Sequence, residues 1–273
     1  MTSVRAALSF HHDKLPPREA ALLLAHVLGQ SREWVLAHPE AELTPEQSGR
    51  FAKLIEQAGR GTPLPYLLGQ WEFFGLNFKI TPDVLIPRPE TELLVEKALG
   101  KTQKPKSQNP KIADAGTGSG IIAVTLAVKL PHASIIATDV SAAALEVART
   151  NAVAHGVAER VKFVHGDLLA DVGKVNLICA NLPYIPTAEL ETLPVAKHEP
   201  TLALDGGPDG LRVIERLLAT AGDPLLPGGA LLAEIGATQG QVAMALARKY
   251  FPSAHAEVYQ DLAGLDRLLE ITL

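Results

Sequence analysis

The chain is poor in the features that mark secreted and membrane-spanning proteins. Cys179 is the only cysteine among 273 residues, so a disulfide cannot form within the chain, and a reducing cytoplasm is the expected compartment. The N-terminal residues lack a long apolar stretch, and no later apolar run reaches the length of a membrane-spanning helix. We therefore predict a cytoplasmic protein without a membrane partner.

Positive charge is also scarce. Lys and Arg number 25 against 30 Asp and Glu, which gives a formal net charge of −5. The first 80 residues hold eight side chains of each sign, leaving 17 basic and 22 acidic side chains in the rest. Neither part has the positive excess that holds nucleic acid by its phosphates, which argues against direct nucleic-acid binding.

Residues 1–65 are predicted to form a small helical domain. Pro16 and Pro17 open a segment with apolar residues on one helix face, and Gly29 ends it. The stretch Thr44-Pro45-Glu46-Gln47 has the form of a capping box with proline at the first helical position. Such a bundle is either a scaffold or a docking module, and we predict a substrate-docking domain.

Residues 66–90 change to an extended pattern. Trp71–Phe74 and Asn77–Ile80 flank a glycine and predict a β-hairpin that links two domains. Thr91 is predicted to cap the helix that follows, and residues 101–110 form a polar surface connection that contains proline.

From Lys111 onwards, strand-like apolar runs alternate with helical patterns. The predicted strands are 111–115, 133–138, 161–165, 174–180, 229–235, 254–260 and 267–272, and the predicted helices are 119–130, 141–155, 208–221 and 238–250. This alternation is typical of a doubly wound α/β sheet with Rossmann-like topology. We therefore predict a seven-stranded domain over residues 91–273, preceded by the helical bundle and the hairpin, with its last two strands antiparallel.

Three alternating glycines mark the turn between the first of these strands and its helix. Gly116, Gly118 and Gly120 allow tight turning and close approach of the backbone to a ligand. Asp139 ends the second strand, where an acidic side chain commonly accepts hydrogen bonds from ribose hydroxyls. Its alternative role is the N-cap of the helix that begins near Ser141.

A third element of this site follows the third strand. Asp167 is placed to bond an adenine amino group while Leu168 packs on the ring, although Asp167 is also typical of a turn. The full set of predicted cofactor-binding residues is Asp114, Gly116, Thr117, Gly118, Ser119, Gly120, Asp139, Val140, Asp167, Leu168 and Asn181.

The tetrapeptide Asn181-Leu182-Pro183-Tyr184 follows the fourth strand and is predicted to be catalytic. An amide or aryl amine nitrogen is a poor nucleophile because its lone pair is delocalised, so its N–H groups need well-placed acceptors. Asn181 offers a side-chain carbonyl, and Leu182 offers a backbone carbonyl. Pro183 fixes the loop, and Tyr184 presents a ring on which a planar amide can stack.

Because parallel strands present their carboxyl ends to one crevice, the glycine loop and the tetrapeptide can face each other. Together they resemble the S-adenosylmethionine-dependent methyltransferases that alkylate planar amino or amide nitrogens. Three further stretches narrow this resemblance, namely Gly69–Gly75, Leu85–Glu92 and the segment from Glu199-Pro200 to Leu211.

With these stretches the chain resembles the HemK-type release factor glutamine methyltransferases, strongly over residues 60–273 and in layout alone before that. The resemblance implies S-adenosylmethionine as cofactor. It also implies methylation of the side-chain amide of the glutamine in the Gly-Gly-Gln motif of class I peptide chain release factors, which would be the partners.

One departure from the pattern of this family matters for the predicted site. The family usually carries proline where this chain has Leu182. Leucine keeps the backbone carbonyl, but the loop becomes less rigid. The resulting Asn-Leu-Pro-Tyr also occurs in ribosomal RNA adenine dimethyltransferases, so an adenine amino methyltransferase acting on RNA or DNA is the alternative function.

Two charged residues complete the predicted substrate site. Its members are Asn181, Pro183, Tyr184, Arg88 and Glu199. Arg88 either helps to close the active site or forms an ion pair with Glu90 or Glu92, and Glu199 is expected to buttress the substrate loop. No metal site is predicted, since the His11-His12 pair has no partner at metal-ligand spacing.

Overall fold

The structure is a computed structural model that describes residues 2–10, 15–102 and 109–273. His11, His12 and most of the predicted connection at 101–110 lie outside the described residues. Contacts within the chain divide it into two units, Met1–Gln70 and Trp71–Leu273. Among the described residues, no helix combines the length and the apolar character needed to cross a lipid bilayer.

The first unit is a helical bundle with its own apolar core. Its elements are β1 (Thr2–Ser3), α1 (Val4–Phe10), α2 (Pro17–Leu28), α3 (Arg32–Ala37), β2 (Glu42–Leu43), α4 (Pro45–Gly59) and α5 (Leu64–Leu68). Leu23, Leu24, Phe51 and Ile55 are fully buried at its centre. The antiparallel β1–β2 pair was not predicted, because two-residue strands are too short to show an alternating pattern.

The ends of these helices follow from local sequence. Thr44 Oγ1 accepts the Gln47 backbone N–H at 3.1 Å, and Gln47 Oε1 accepts the Thr44 N–H at 2.9 Å, which confirms the predicted capping box of α4. Gly29, with φ of 63°, ends α2 in the left-handed region that glycine adopts without a Cβ clash.

The second unit carries a seven-stranded sheet with helices on its faces. Its elements are β3 (Gln70–Phe73), β4 (Leu76–Lys79), α6 (Thr91–Thr102), β5 (Lys111–Ala115), α7 (Ile121–Lys129), β6 (Ser134–Asp139), α8 (Ala142–Ala154), β7 (Val161–His165), β8 (Val175–Ala180), β9 (Ile185–Pro186), α9 (Thr187–Leu190), β10 (Asp205–Gly207), α10 (Arg212–Ala221), β11 (Leu225–Glu234), α11 (Gly240–Tyr250), β12 (His255–Gln260) and β13 (Asp266–Thr272). The strand order is β12-β13-β11-β8-β5-β6-β7, and β13 runs antiparallel to both of its neighbours. The predicted doubly wound α/β fold and the terminal antiparallel pair are thus confirmed.

Two boundaries differ from the sequence-based expectation by more than two residues. β11 begins at Leu225 rather than near residue 229, and its register against β8 shifts between Leu225 and Ala230, where a Pro-Gly-Gly stretch interrupts the apolar pattern. α10 begins at Arg212 rather than at 208, because Asp205–Gly207 form β10, which pairs in parallel with β9, and Gly210 follows with a φ of 74° that an α-helix does not have. This small pair encloses an irregular segment that follows the predicted catalytic tetrapeptide.

The β3–β4 hairpin is hydrogen-bonded to the glycine loop through one side chain of α8. Asn151, which is 1% exposed, accepts the Lys79 N–H with Oδ1 at 2.7 Å. Its Nδ2 donates to the Lys79 carbonyl at 3.1 Å and to the Ser119 carbonyl at 2.8 Å. An amide is the group that suits this position, because the three contacts need one acceptor and two donors.

We expect Asn151→Ala to lower the free energy of unfolding by about 1–3 kcal/mol, since the Ser119 carbonyl and the Lys79 backbone lose their partners inside the protein. Chemical denaturation measures this change. Thr150→Ala, one residue away on the exposed face of α8, is the matched control and should stay within about 0.5 kcal/mol of the parent. Equal losses in the two variants would contradict a specific role for the Asn151 amide.

Candidate active site

A cavity of about 630 Å³ lies where the loops after β5, β6 and β8 meet. The position follows from the fold, because ligands of doubly wound sheets bind beyond the carboxyl ends of the strands. The predicted residues that line it are Arg88, Gly116, Thr117, Gly118, Ser119, Asp139, Val140, Asp167, Leu168, Asn181, Leu182 and Pro183. The other predicted residues, Asp114, Gly120, Tyr184 and Glu199, stand behind this wall or beside it.

The glycine loop packs closely against other residues at its first and third glycines and borders open space at the second. Gly116, Gly118 and Gly120 all have positive φ, at 73°, 56° and 83°. A Cβ at Gly116 would lie 2.7 Å from Leu182 Cδ2, and a Cβ at Gly120 would lie 3.0 Å from Ala148 Cβ. At Gly118, a Cβ would meet none of the described atoms within 4 Å, so this residue borders open space in the cavity. The loop is thus a cradle whose backbone a ligand can approach.

Asp114 supports this loop from beneath. It is fully buried, and its Oδ2 accepts the Thr117 hydroxyl at 2.6 Å and the Ala123 N–H at 3.1 Å. Its Oδ1 has no hydrogen-bond partner among the described residues. Burial raises the pKa of this carboxyl to about 7, because the charged form loses its hydration.

Asp139 borders the cavity and already accepts two backbone hydrogen bonds. Its Oδ2 accepts the Gly118 N–H at 2.8 Å, and its Oδ1 accepts the Ser141 N–H at 2.8 Å. The N-cap of α8 is Ser141, so the alternative role of Asp139 as that cap is not what the structure has. Because each carboxylate oxygen has two lone pairs, Asp139 can still accept ligand hydroxyls. Burial raises the pKa of this group as well.

Asp167 has a partner that the sequence did not reveal. Arg216, on α10, forms an ion pair with Asp167 at the rim of the cavity, where about half of each side chain is exposed. The adjacent Leu168 is buried with φ of 48°, and its carbonyl accepts the Thr138 hydroxyl. A leucine in this region is uncommon, so the loop is held in a strained conformation beside the cavity.

Two buried side chains hold the tetrapeptide that is predicted to be catalytic. Asn181 Nδ2 donates to Thr91 Oγ1 at 3.0 Å, and that hydroxyl donates to Glu234 Oε2 at 2.7 Å. The Tyr184 hydroxyl donates to Glu234 Oε1 at 3.1 Å, and the Tyr184 carbonyl accepts Gln239 Nε2 at 2.9 Å. Asn181 and Tyr184 therefore share one carboxylate, which is 2% exposed.

The predicted role of Thr91 as a helix cap is wrong. Thr91 is the first residue of α6, and its hydroxyl is used by Glu234 and Asn181 instead. Glu234 itself was missed, although a signal was present: it is a lone acidic residue at the end of an otherwise apolar strand, at the edge where ligands bind. Nothing in the sequence of α10 singled out Arg216.

Arg88 pairs with Glu199 rather than with Glu90 or Glu92. Its Nη2 lies 2.5 Å from Glu199 Oε1, and Glu199 Oε2 accepts the Ile86 N–H at 3.0 Å. Glu199 is 5% exposed and holds the segment that carries Arg88 along the cavity wall. Its contacts therefore buttress the Ile86–Arg88 segment.

A second cavity of about 220 Å³ adjoins the first at the tetrapeptide. The two cavities share Leu85, Arg88, Asn181 and Ala203 in their walls, and Tyr184 lines the smaller one. Within the described ranges, no group of three or more His, Cys, Asp or Glu side chains could hold a metal ion. The arrangement thus offers one space beside the glycine loop and another beside Tyr184, with Asn181 between them.

Comparison with known proteins identifies two matching family models and several similar proteins. Residues 1–69 match the family model described as the PrmC N-terminal domain, and residues 90–197 match the methyltransferase small domain. A release factor glutamine methyltransferase of Moorella thermoacetica is 48% identical over 255 residues, which cover 92% of this chain and 89% of the relative. Another, from Coxiella burnetii, is 42% identical over 260 residues, with 94% and 91% covered.

Among solved structures, the ribosomal protein L11 methylase of Lactobacillus delbrueckii subsp. bulgaricus aligns with a TM-score of 0.51 and 24% identity. The alignment covers 70% of this chain and 82% of that chain and shows a shared fold. Fold, cavity and matched domain together define an S-adenosylmethionine-dependent methyltransferase. The identity across nearly the whole chain narrows this class: the chain belongs to the release factor glutamine methyltransferase family. The expected family and its cofactor are thereby confirmed.

The residues of the larger cavity fit S-adenosylmethionine. The open space at Gly118 leaves room for a ligand against the backbone, and Asp139 has lone pairs for ribose hydroxyls. Val140 and Leu168 offer apolar surface to the adenine ring. When bound, the cofactor supplies a methyl group activated by its positive sulfonium. These individual assignments stay predictions that substitution can test.

We expect Asp139→Ala to weaken S-adenosylmethionine binding by about 10- to 100-fold, because a hydrogen bond to a charged group contributes roughly 1.5–3 kcal/mol. Isothermal titration calorimetry on the folded variant measures the change. Glu146→Ala, on the exposed face of α8, is the control and should bind as the parent does. An unchanged affinity in Asp139→Ala would remove this residue from the cofactor site.

Proposed function

We propose that this chain methylates the side-chain amide nitrogen of the glutamine in the Gly-Gly-Gln motif of class I peptide chain release factors. The observation that carries the proposal is the placement of Asn181 between the two cavities, with its Nδ2 bonded to Thr91. Since Nδ2 is occupied, Oδ1 is the atom available to accept an N–H from a substrate.

The chemistry of an amide explains the need for this arrangement. Asn181 Oδ1 and the Leu182 carbonyl accept the two N–H groups of the glutamine and hold its nitrogen towards the cofactor. The Tyr184 ring, in the wall of the smaller cavity, stacks on the amide plane. S-adenosylmethionine held in the larger cavity would supply the methyl group, its carbon–sulfur bond breaking as the new carbon–nitrogen bond forms, and one proton of the nitrogen would leave to water. Most of the acceleration comes from positioning.

The names of the relatives support this substrate. Proteins 48% and 42% identical to this chain are named for glutamine methylation of release factors. We also propose a cytoplasmic location, the compartment expected from the cysteine content. The net charge of −5 supports a protein substrate over the alternative, an adenine amino group of RNA or DNA.

The direct experiment is a methyl-transfer assay with purified release factor and ribosomal RNA offered side by side. The modified residue is then mapped by mass spectrometry. We expect the label on the glutamine of the Gly-Gly-Gln motif and none on RNA. Label on adenine, with activity that falls steeply as salt rises, would favour the alternative function.

Asn181→Ala should lower turnover on release factor by about 10²–10³, because a positioned polar partner acts mainly in the transition state. S-adenosylmethionine affinity should change little. Leu182→Pro is the companion variant: it restores the residue usual in the family and keeps the backbone carbonyl, so turnover should be retained. Near-normal turnover in Asn181→Ala would show that the tetrapeptide is structural.

We also propose that the helical unit docks the release factor, with residues 1–65 as the docking domain, 66–90 as the hairpin linker and 91–273 as the catalytic domain. The separate core of the helical unit and its match to a separate family model support an N-terminal unit of its own, which in the structure extends to Gln70.

A chain that begins at Gln70 should keep its cofactor affinity and lose most of its activity on intact release factor, because the docking contacts are gone. Its activity on a short peptide containing Gly-Gly-Gln should match that of the full chain, which makes the peptide an internal control. Full activity of a folded, truncated chain on intact release factor would exclude the docking role.

A further inference from the structure

Glu234 is a buried acid at the tetrapeptide to which the proposed chemistry assigns no role. It ends β11, is 2% exposed, and accepts the hydroxyls of Thr91 and Tyr184 on its two oxygens. Thr91 is itself fully buried. We infer that Glu234, acting through the Thr91 hydroxyl, is a positioning residue that decides which way the Asn181 amide points. The inference rests on the proposed function, in which Asn181 Oδ1 must face the substrate.

The orientation of an amide side chain is difficult to fix. The oxygen and the NH₂ group of Asn181 are nearly equal in size, so packing alone distinguishes poorly between the two flipped orientations. A hydroxyl neighbour does not distinguish them either, because it can donate or accept. The direction of the Asn181–Thr91 bond must therefore be set by a third group.

That third group is the Glu234 carboxylate. A hydroxyl has one hydrogen, and an ionised carboxylate can only accept. With its hydrogen committed to Glu234 Oε2 at 2.7 Å, Thr91 Oγ1 can only accept from Asn181. The NH₂ group of Asn181 must then face Thr91, and Oδ1 is left for the substrate. If the Thr91 hydroxyl reversed and donated to Asn181, the amide oxygen of Asn181 would face Thr91. The NH₂ group would then face the substrate, and its N–H donors would meet the N–H donors of the substrate amide.

The orientation of the Asn181 amide therefore depends on the ionisation of Glu234. Protonation makes one of its oxygens a donor, so one of the two hydroxyl bonds has to reverse. Burial raises the pKa of this carboxyl to about 7, the Thr91 and Tyr184 hydroxyls oppose that rise, as does the positive charge of Arg267, and Glu90 adds to it. The orientation of the Asn181 amide is thus expected to become uniform as pH rises through neutrality.

The first test compares Thr91→Val with Thr91→Ser in steady-state methyl transfer to purified release factor. Valine keeps the shape but removes the hydroxyl, so kcat should fall about 10- to 100-fold, the usual effect of losing a group that orients a functional side chain. KM for release factor and the affinity for S-adenosylmethionine should hold. Serine keeps the hydroxyl and should restore kcat. Wild-type kcat in a folded Thr91→Val would overturn the inference, and so would failure of serine to restore kcat.

Asn181→Ala run in parallel separates this inference from the function on which it rests. Lost turnover in Asn181→Ala with normal turnover in Thr91→Val would leave the amide clamp intact and exclude the orienting role. Normal turnover in Asn181→Ala would exclude the proposed role of Asn181 in holding the substrate amide.

A second test needs no activity and no Thr91 variant. The side-chain NH₂ resonances of Asn181, identified by their loss in Asn181→Ala, are followed from pH 6 to pH 8 in protein labelled with ¹⁵N-asparagine. We expect them to shift in the parent and to stay fixed in Glu234→Gln, which cannot titrate. The comparison with Glu234→Gln excludes Asp114, a second carboxyl with a pKa of about 7. Equal shifts in both proteins, or a fixed resonance in the parent, would overturn the inference.

Discussion

The wall of the cavity depends on carboxylates that are withdrawn from water and bonded to the loops around them. Four carboxylates accept these hydrogen bonds: Asp114 and Asp139 from the glycine loop, Glu199 from the Ile86–Arg88 segment, and Glu234 from Thr91 and Tyr184. A buried carboxylate persists only where N–H and O–H groups replace its hydration. Each segment must supply such donors, so the carboxylates determine where the glycine loop, the Ile86–Arg88 segment and the tetrapeptide come to rest.

This arrangement costs stability at neutral pH. Burial raises the pKa of Asp114 and of Glu234 to about 7, so the ionised form of each carboxyl costs free energy in the folded chain that it would not cost in water. Apolar residues at the same places would avoid this cost but could not orient a hydroxyl or an amide. A site that accelerates a reaction by positioning benefits when its side chains are already held in place. Their conformational entropy is then lost during folding and not during the reaction. The strained backbone of Leu168 beside the cavity likewise lowers stability while it fixes the shape of its loop.

Sequence patterns predicted the sheet well and the hydrogen bonds between distant side chains poorly, for a physical reason. The apolar runs of the strands and the capping box at Thr44 are local signals, because burial and capping follow residues close together in the chain. The Thr91–Glu234 bond joins residues 143 positions apart, and the Asp167–Arg216 pair joins residues 49 positions apart. No periodicity encodes such partners. Thr91 was mistaken for a cap because the start of a helix is where threonine usually caps, and the distant carboxylate outcompeted that local use.

Leu182 shows how the two halves of the site constrain each other. Its side chain occupies the place that a Cβ at Gly116 would take, with 2.7 Å between that Cβ position and Leu182 Cδ2. Glycine at 116 is therefore required both by its φ of 73° and by the leucine packed against it. Leucine at 182 in turn gains a buried, apolar contact that partly replaces the rigidity a second proline would give, since the side chain is 5% exposed. The glycine loop and the tetrapeptide thus meet at this pair, and a change in the shape of one loop must be accommodated by the other.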